Sequence, residues 1–153
     1  LTHALGRAAQ AIGSPVLMKG RLDRVDQRDG LVRILDLKSG KVDPADLSVK
    51  EMTLDALLGK KRYAAQLLVY AWLYLQEHPE VAAVQTGILP LQRAASSKPL
   101  LMQLPEGTTV MREALPAIDE LLTEAVRQMM DPAIPIEHDP QSKYCSYCLA
   151  GDT

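Results

Sequence analysis

The 153-residue sequence contains no phenylalanine, one tryptophan and two cysteines. No stretch approaches the roughly 20 consecutive apolar residues that a membrane-spanning helix needs, so no membrane association is expected. Neither charge is in clear excess: 17 Lys and Arg face 19 Asp and Glu, for a formal net charge of -2 and a pI near 5.9. That balance argues against a protein that holds nucleic acid by bulk charge, but not against an enzyme that meets nucleic acid through a bound cation. The cysteines stand three apart, too close to pair readily, which disfavours a disulfide-framed secreted domain. The opening segment LTHALGRAAQAIG lacks the long apolar centre of a secretory signal, and a cytoplasmic setting is expected. The five tyrosines and the tryptophan mostly gather in two places, Tyr63 to Tyr74 and Tyr144 to Tyr147.

A hydrophobic content of 47% at this length fits one globular domain over residues 1–153. The chain opens on Leu1 and stops at Thr153 just after the cysteine pair, so a C-terminal piece of a larger protein is expected, with residues 131–153 as a cysteine-containing tail. Thr2 to Ala11 can form a short helix, ended by Gly13 and Pro15. Val16 to Val25 and Leu31 to Leu37 are strand-like, with Asp29-Gly30 as a hairpin signal between them. A polar connection follows, with a short helical piece at Leu54 to Leu58. Lys61 to Gln76 is the clearest helix, apolar on nearly every side and closed by Pro79. VAAVQTGILPL predicts a strand, and KPLLMQL its partner across a loop from Gln92 to Ser97. Thr108 or Thr109 is placed to cap a helix running to about Met130, with Pro116 as a kink. Met111, Leu115, Ile118, Leu121, Leu122, Ala125 and Met129 form its expected core stripe. This order predicts an α/β fold with a central mixed sheet flanked by helices.

The hairpin is where charge is conspicuous. With Asp29 and Gly30 as a two-residue loop, Asp23 falls opposite Asp36; a four-residue loop moves it opposite Ile34 but keeps both aspartates on one face. An odd-length loop would separate them. On the shared face Val25, Val32 and Ile34 lie toward the turn, and Arg21, Asp23, Asp36 and Lys38 lie at the far end. On the other face Asp26 can pair with Arg33. Two carboxylates about 5 Å apart repel each other, and Lys38 alone leaves negative charge over. A divalent cation with oxygen ligands would balance it. Two carboxylates and a lysine on adjacent strands are equipment for metal-assisted phosphodiester hydrolysis, in which the ion lowers the pKa of a water and the lysine steadies developing charge. An ordinary salt-bridged hairpin is the competing account. On the following helix Tyr63, Gln66 and Tyr70 share one face, putting three polar tips where packing alone would choose leucine; amphipathic filler is the alternative there.

GRLDRVD at Gly20 to Asp26, ILDLKSG at Ile34 to Gly40 and QLLVY at Gln66 to Tyr70 together resemble the PD-(D/E)XK nuclease superfamily. Within it they resemble the RecB-like branch found on helicase-nuclease proteins of recombination and on CRISPR-associated exonucleases. The resemblance spans roughly half the chain and implies a restriction-endonuclease-like core. It also implies a DNA nuclease, exonuclease rather than endonuclease, that uses Mg²⁺ or Mn²⁺ in repair or recombination beside a helicase domain or subunit, with no small-molecule substrate. Asp23 and Asp36 would be metal ligands, the Leu37 carbonyl a further one, and Lys38 the catalytic lysine. Gln66 and Tyr70 would orient DNA or the active site.

Two departures from the family pattern stand out. The upstream acidic or histidine ligand has only His3 as a candidate, and a solvated terminal histidine is the plainer expectation for it. Several RecB-like nucleases close with an iron-sulfur cluster on C-x2-C-x5-C; here Cys145 and Cys148 supply two positions, and a third would fall just past Thr153. The pair is thus the expected remnant of a 4Fe-4S site, with two ordinary thiols as the alternative and His138 as a candidate extra ligand. Lys60, Lys61 and Arg62 at the start of the long helix are candidates for phosphate contacts. The competing functions are a nuclease-fold module that binds DNA or a protein without cutting, and a small structural domain whose CSYC motif joins a metal held by sequence outside the chain.

Overall fold

The structure, a computed structural model, describes residues 1–58, 61–93 and 98–135. Its hairpin forms around the predicted two-residue loop, with Asp29 and Gly30 at φ 52 and 80. Two successive positive φ values give the turn whose twist matches that of the strands it joins. The register follows: in β3 (Arg24–Arg28) and β4 (Leu31–Lys38), Arg28 pairs with Leu31 and Arg24 with Leu35. β4 then pairs in parallel with β5 (Ala83–Pro90), from Val32 with Val84 to Lys38 with Pro90. β6 (Leu100–Leu101) and β7 (Thr109–Met111) each pair antiparallel with β5. The result is the expected mixed sheet, in the order β3-β4-β5-β6 with β7 also on β5. Gly87 is required where β6 crosses, because a Cβ there would lie 2.6 Å from the Leu100 carbonyl oxygen.

The parallel pairing needs a crossover. It contains a 3₁₀ turn at Pro44–Leu47, the short helix α2 (Leu54–Leu58) and the long helix α3 (Arg62–Glu77), both helices close to their predicted bounds. α3 is built largely of alanine and leucine, good helix formers, and it ends just before Pro79. Ala64, Leu67, Leu68, Ala71, Trp72, Leu73 and Leu75 are buried on it, and it packs against β4 and β5.

Several sequence expectations need correction. Thr2–Ala4 is a strand, β1, paired with β2 (Leu17–Lys19); the first helix, α1, is Gly6–Ile12. The single strand expected over Val16 to Val25 is therefore two, β2 and β3, separated by irregular chain. Gly20 marks the break: a Cβ there would lie 2.6 Å from Leu73 Cδ1 and 3.3 Å from the Tyr70 ring. Thr109 caps no helix but opens β7, and α4 runs Leu115–Met130 with Pro116 in its first turn. Proline costs little there, since the first N–H groups have no intrahelical partner, so Pro116 is no kink. The expected stripe holds at Ile118, which is fully buried, and fails at Met111 and Met129, which are 46% and 82% exposed.

Near the hairpin turn, Asp26 accepts from Arg33 Nε at 2.7 Å and from Arg24 Nε at 2.9 Å. The Arg33 hydrogen bond is the main reason the Asp26 carboxyl is held below its ordinary pKa; partial burial works against it and the Arg24 charge assists. A depressed carboxylate stabilises the fold above its unfolded value, near 4, and that contribution disappears as pH falls through the folded value. Asp26→Asn is expected to cost about 1 kcal/mol at neutral pH, because the group is partly exposed. Urea unfolding of both proteins from pH 7 to 3 should show the gap closing below about pH 4. A gap constant with pH would mean that the ion pairs contribute nothing.

Candidate active site

Side chains alternate across a strand, so Ile34, Asp36 and Lys38 of β4 share one face. Along it the environment changes in two steps. Ile34 is fully buried, Asp36 is 4% exposed, and the Lys38 side chain reaches 29% exposure at the strand's end. α3 brings Gln66 to this point. Its amide Nε2 donates to Asp36 Oδ1 at 3.3 Å and to the Tyr70 hydroxyl at 2.7 Å, one helical turn on. Its Oε1 accepts from Lys38 Nζ at 3.5 Å. Asp36, Lys38, Gln66 and Tyr70 thus form one connected cluster. Tyr63, one turn earlier on the helix, lies with its ring centroid 5.5 Å from Lys38 Nζ. The α3 face that sequence periodicity singled out faces the end of β4. The Tyr63–Lys38 contact itself was not foreseen; the three-residue spacing from Gln66 was its one signal.

The Asp36 carboxylate controls the electrostatics. Its Oδ2 lies 2.9 Å from Lys38 Nζ, yet this fully buried oxygen receives no well-directed hydrogen bond. The ion pair is close enough for the ammonium to turn a proton toward this oxygen, and lone-pair capacity is left over beside it. Asp36 raises the pKa of Lys38, against the opposing effect of burial, with smaller contributions from Tyr63 and Tyr70. Lys38 therefore stays an ammonium throughout the neutral range.

Asp23 reaches the same region by another route. It sits in the bend just before β3, exposed, and its Oδ2 accepts the Leu37 backbone N–H at 2.9 Å. The carboxylate engages this N–H where β3 has not yet begun. Asp23 is thus tied to the β4 backbone at Leu37, and it is not a regular cross-strand partner of Asp36, because β3 begins only at Arg24. At Leu37 the N–H is the group engaged.

His3 is neither a solvated end nor part of a ligand group. It is half-buried in β1, edge-on to Trp72 with ring centroids 5.4 Å apart. Among the described residues no cluster of three or more His, Cys, Asp or Glu could hold an ion. A Mg²⁺ site does not require one, since this ion keeps several waters and takes one or two carboxylates. Asp36, whose buried Oδ2 has lone-pair capacity left over, fits that demand as one carboxylate, and Asp23, bonded to the adjacent Leu37 N–H, would be the second. Lys61 donates to the Ala45 carbonyl, and Arg62 stacks on Tyr63 at 5.0 Å from its centroid. Lys60, His138, Cys145 and Cys148 lie outside the described residues.

No described helix is long and apolar enough to cross a membrane. No curated protein and no solved structure is matched by the chain. A family model described as the PD-(D/E)XK nuclease superfamily matches residues 3–152. That match covers nearly the whole chain, and it agrees with the mixed sheet and with an Asp-x-Lys pair at the end of its central strand: the chain belongs to the PD-(D/E)XK nuclease superfamily.

Proposed function

We propose that this chain is a divalent-metal-dependent DNA nuclease of the RecB-like branch, an exonuclease acting in repair or recombination beside a helicase domain or subunit. The observation that carries the reading is the Asp36 cluster: a buried carboxylate oxygen lacking a directed hydrogen bond, with Lys38 and Gln66 arranged around it. Asp36 and Asp23 would hold Mg²⁺ or Mn²⁺, with the Leu37 carbonyl as a further ligand. When bound, the ion supplies Lewis-acid activation of water and neutralises phosphate charge.

The rest of the work falls to the chain. Lys38, kept protonated by Asp36, serves as a fixed donor and positive charge for the developing negative charge at phosphorus rather than as a base. Gln66 holds the Asp36 carboxylate and the Lys38 ammonium with opposite ends of its amide, and Tyr70 fixes that amide. Cys145 and Cys148, which lie outside the described residues, are proposed ligands of a 4Fe-4S cluster.

A second reading is a nuclease-fold module that binds DNA or a protein without cutting. The lack of a third acidic or histidine ligand among the described residues favours it. Incubation with end-labelled linear DNA and with closed circular DNA, in Mn²⁺ and in chelator, separates the two. The proposed function gives metal-dependent loss of the linear substrate and spares the circle. Titration calorimetry with Mn²⁺ should show binding that Asp23→Ala weakens about 10-fold or more. Tight DNA binding with no cleavage in any metal would establish the module instead.

A further inference from the structure

Lys38 ends β4 with its side chain 29% exposed, and a lysine head there has a flexible four-carbon stem and open water beside it. Two contacts restrain it from below. The ion pair with Asp36 Oδ2 at 2.9 Å fixes the distance of the ammonium more than its direction, and the contact with Gln66 Oε1 is at the long limit of 3.5 Å. On a further side stands the Tyr63 ring, half-buried against the core, its centroid 5.5 Å from the ammonium. The ring is itself held: the Arg62 guanidinium lies over it at 5.0 Å and donates to its hydroxyl at 3.4 Å. An aromatic face attracts a cation through its quadrupole and does not consume the N–H donors that a phosphate needs.

We propose that Tyr63 is a positioning residue for Lys38, its ring confining the ammonium over Asp36 so that the donors point to where a scissile phosphate would lie. This rests on the reading of Lys38 as a working group in phosphodiester hydrolysis. The ring, not the hydroxyl, does the confining. Phenylalanine at this position should therefore serve, whereas leucine, which still fills the apolar contact with the core, should not.

The test pairs a spectrum with kinetics, using the full chain. In protein labelled with ¹³C-lysine, the Lys38 ε-methylene signal, identified by its absence in Lys38→Ala, should be displaced by the ring current of Tyr63. The displacement should persist in Tyr63→Phe and vanish in Tyr63→Leu. In Mn²⁺-dependent DNA cleavage, Tyr63→Leu should lower kcat roughly 5- to 30-fold with KM within about twofold, and Tyr63→Phe should recover most of the loss. A Lys38 signal at its ordinary position in the parent, or one unmoved in Tyr63→Leu, overturns the proposal. So does an equal kcat loss in the phenylalanine and leucine variants. Were the protein to cut no DNA at all, the proposed function would fail, while the lysine spectrum would still decide whether the ring holds Lys38.

Discussion

Asp36→Asn is expected to lower metal-dependent DNA cleavage by on the order of 10³-fold, while leaving the thermal midpoint within a few degrees of the parent. Asparagine is nearly isosteric and can still bond Gln66, but it brings no charge to a cation and has one oxygen fewer for a metal. The modest effect on stability has a physical cause. Asp36 is 4% exposed and one of its oxygens has no directed hydrogen bond, so the parent already bears part of the cost of burying a charge. Lys38→Ala should lose activity to a similar degree but behave differently in the fold. It removes the counter-charge and leaves the carboxylate buried without it, which costs about 2 kcal/mol after allowing for the partial exposure of Lys38. Cleavage rates and thermal unfolding of the two variants, measured side by side, check both halves. Unchanged cleavage in either variant removes that residue from the chemistry. Collapse of the fold in Asp36→Asn would make the cluster a structural feature rather than a catalytic one.

Arg112→Ala is expected to destabilise the protein by about 3 kcal/mol, a fall of roughly 9 °C in Tm for a chain of this size. The guanidinium of Arg112 donates from Nη2 to the carbonyls of Leu75 and His78 at 2.8 and 2.5 Å and from Nε to that of Val81 at 2.9 Å. These atoms belong to the end of α3 and the loop after it, where carbonyls lack intrahelical partners and the helix dipole favours a cation. The backbone N–H of Arg112 also bonds the Ala82 carbonyl, so one residue ties the exit of α3 to the entrance of β5. Arg112→Lys should recover less than half of the loss, because an ammonium cannot span the same set of acceptors as a planar fork. Urea unfolding followed by circular dichroism measures both variants. A loss below 1 kcal/mol in Arg112→Ala would mean that water replaces the arginine at these carbonyls.

The parts of the structure legible in the sequence were those fixed by near neighbours. Asp29-Gly30 dictated the turn, the turn dictated the register, and the strand's alternation put Asp36 and Lys38 on one face. The alanine- and leucine-rich run up to Pro79 gave α3, and helical spacing gave the face bearing Tyr63, Gln66 and Tyr70. What was misread depends on distant partners. Thr2–Ala4 is a strand because Leu17–Lys19 lies beside it, and nothing local in three residues announces that. The strand expected through Gly20 is interrupted where the chain passes so close to Leu73 and Tyr70, on a helix far later in the sequence, that a Cβ would not fit. Thr109 resembles a helix cap until β5 recruits it as an edge partner. Arg112 carries no sequence signal at all, since its three acceptors come from segments that only the tertiary fold brings to it.

The parallel pairing of β4 with β5 bears on how the molecule comes into being. Val32 meets Val84, so about fifty residues must be looped back before the central ladder can close, and loop closure of that length is paid in chain entropy before any contact rewards it. The β-hairpin ending in Asp36 and Lys38 is local and can assemble within microseconds. Gln66 and Tyr70 join it only when the looped segment docks. During synthesis the aspartate and lysine therefore exist as a half-built pair until the later half of the chain arrives, and the hydrogen-bonded cluster of Asp36, Lys38, Gln66 and Tyr70 is completed at the final stage of folding rather than its beginning.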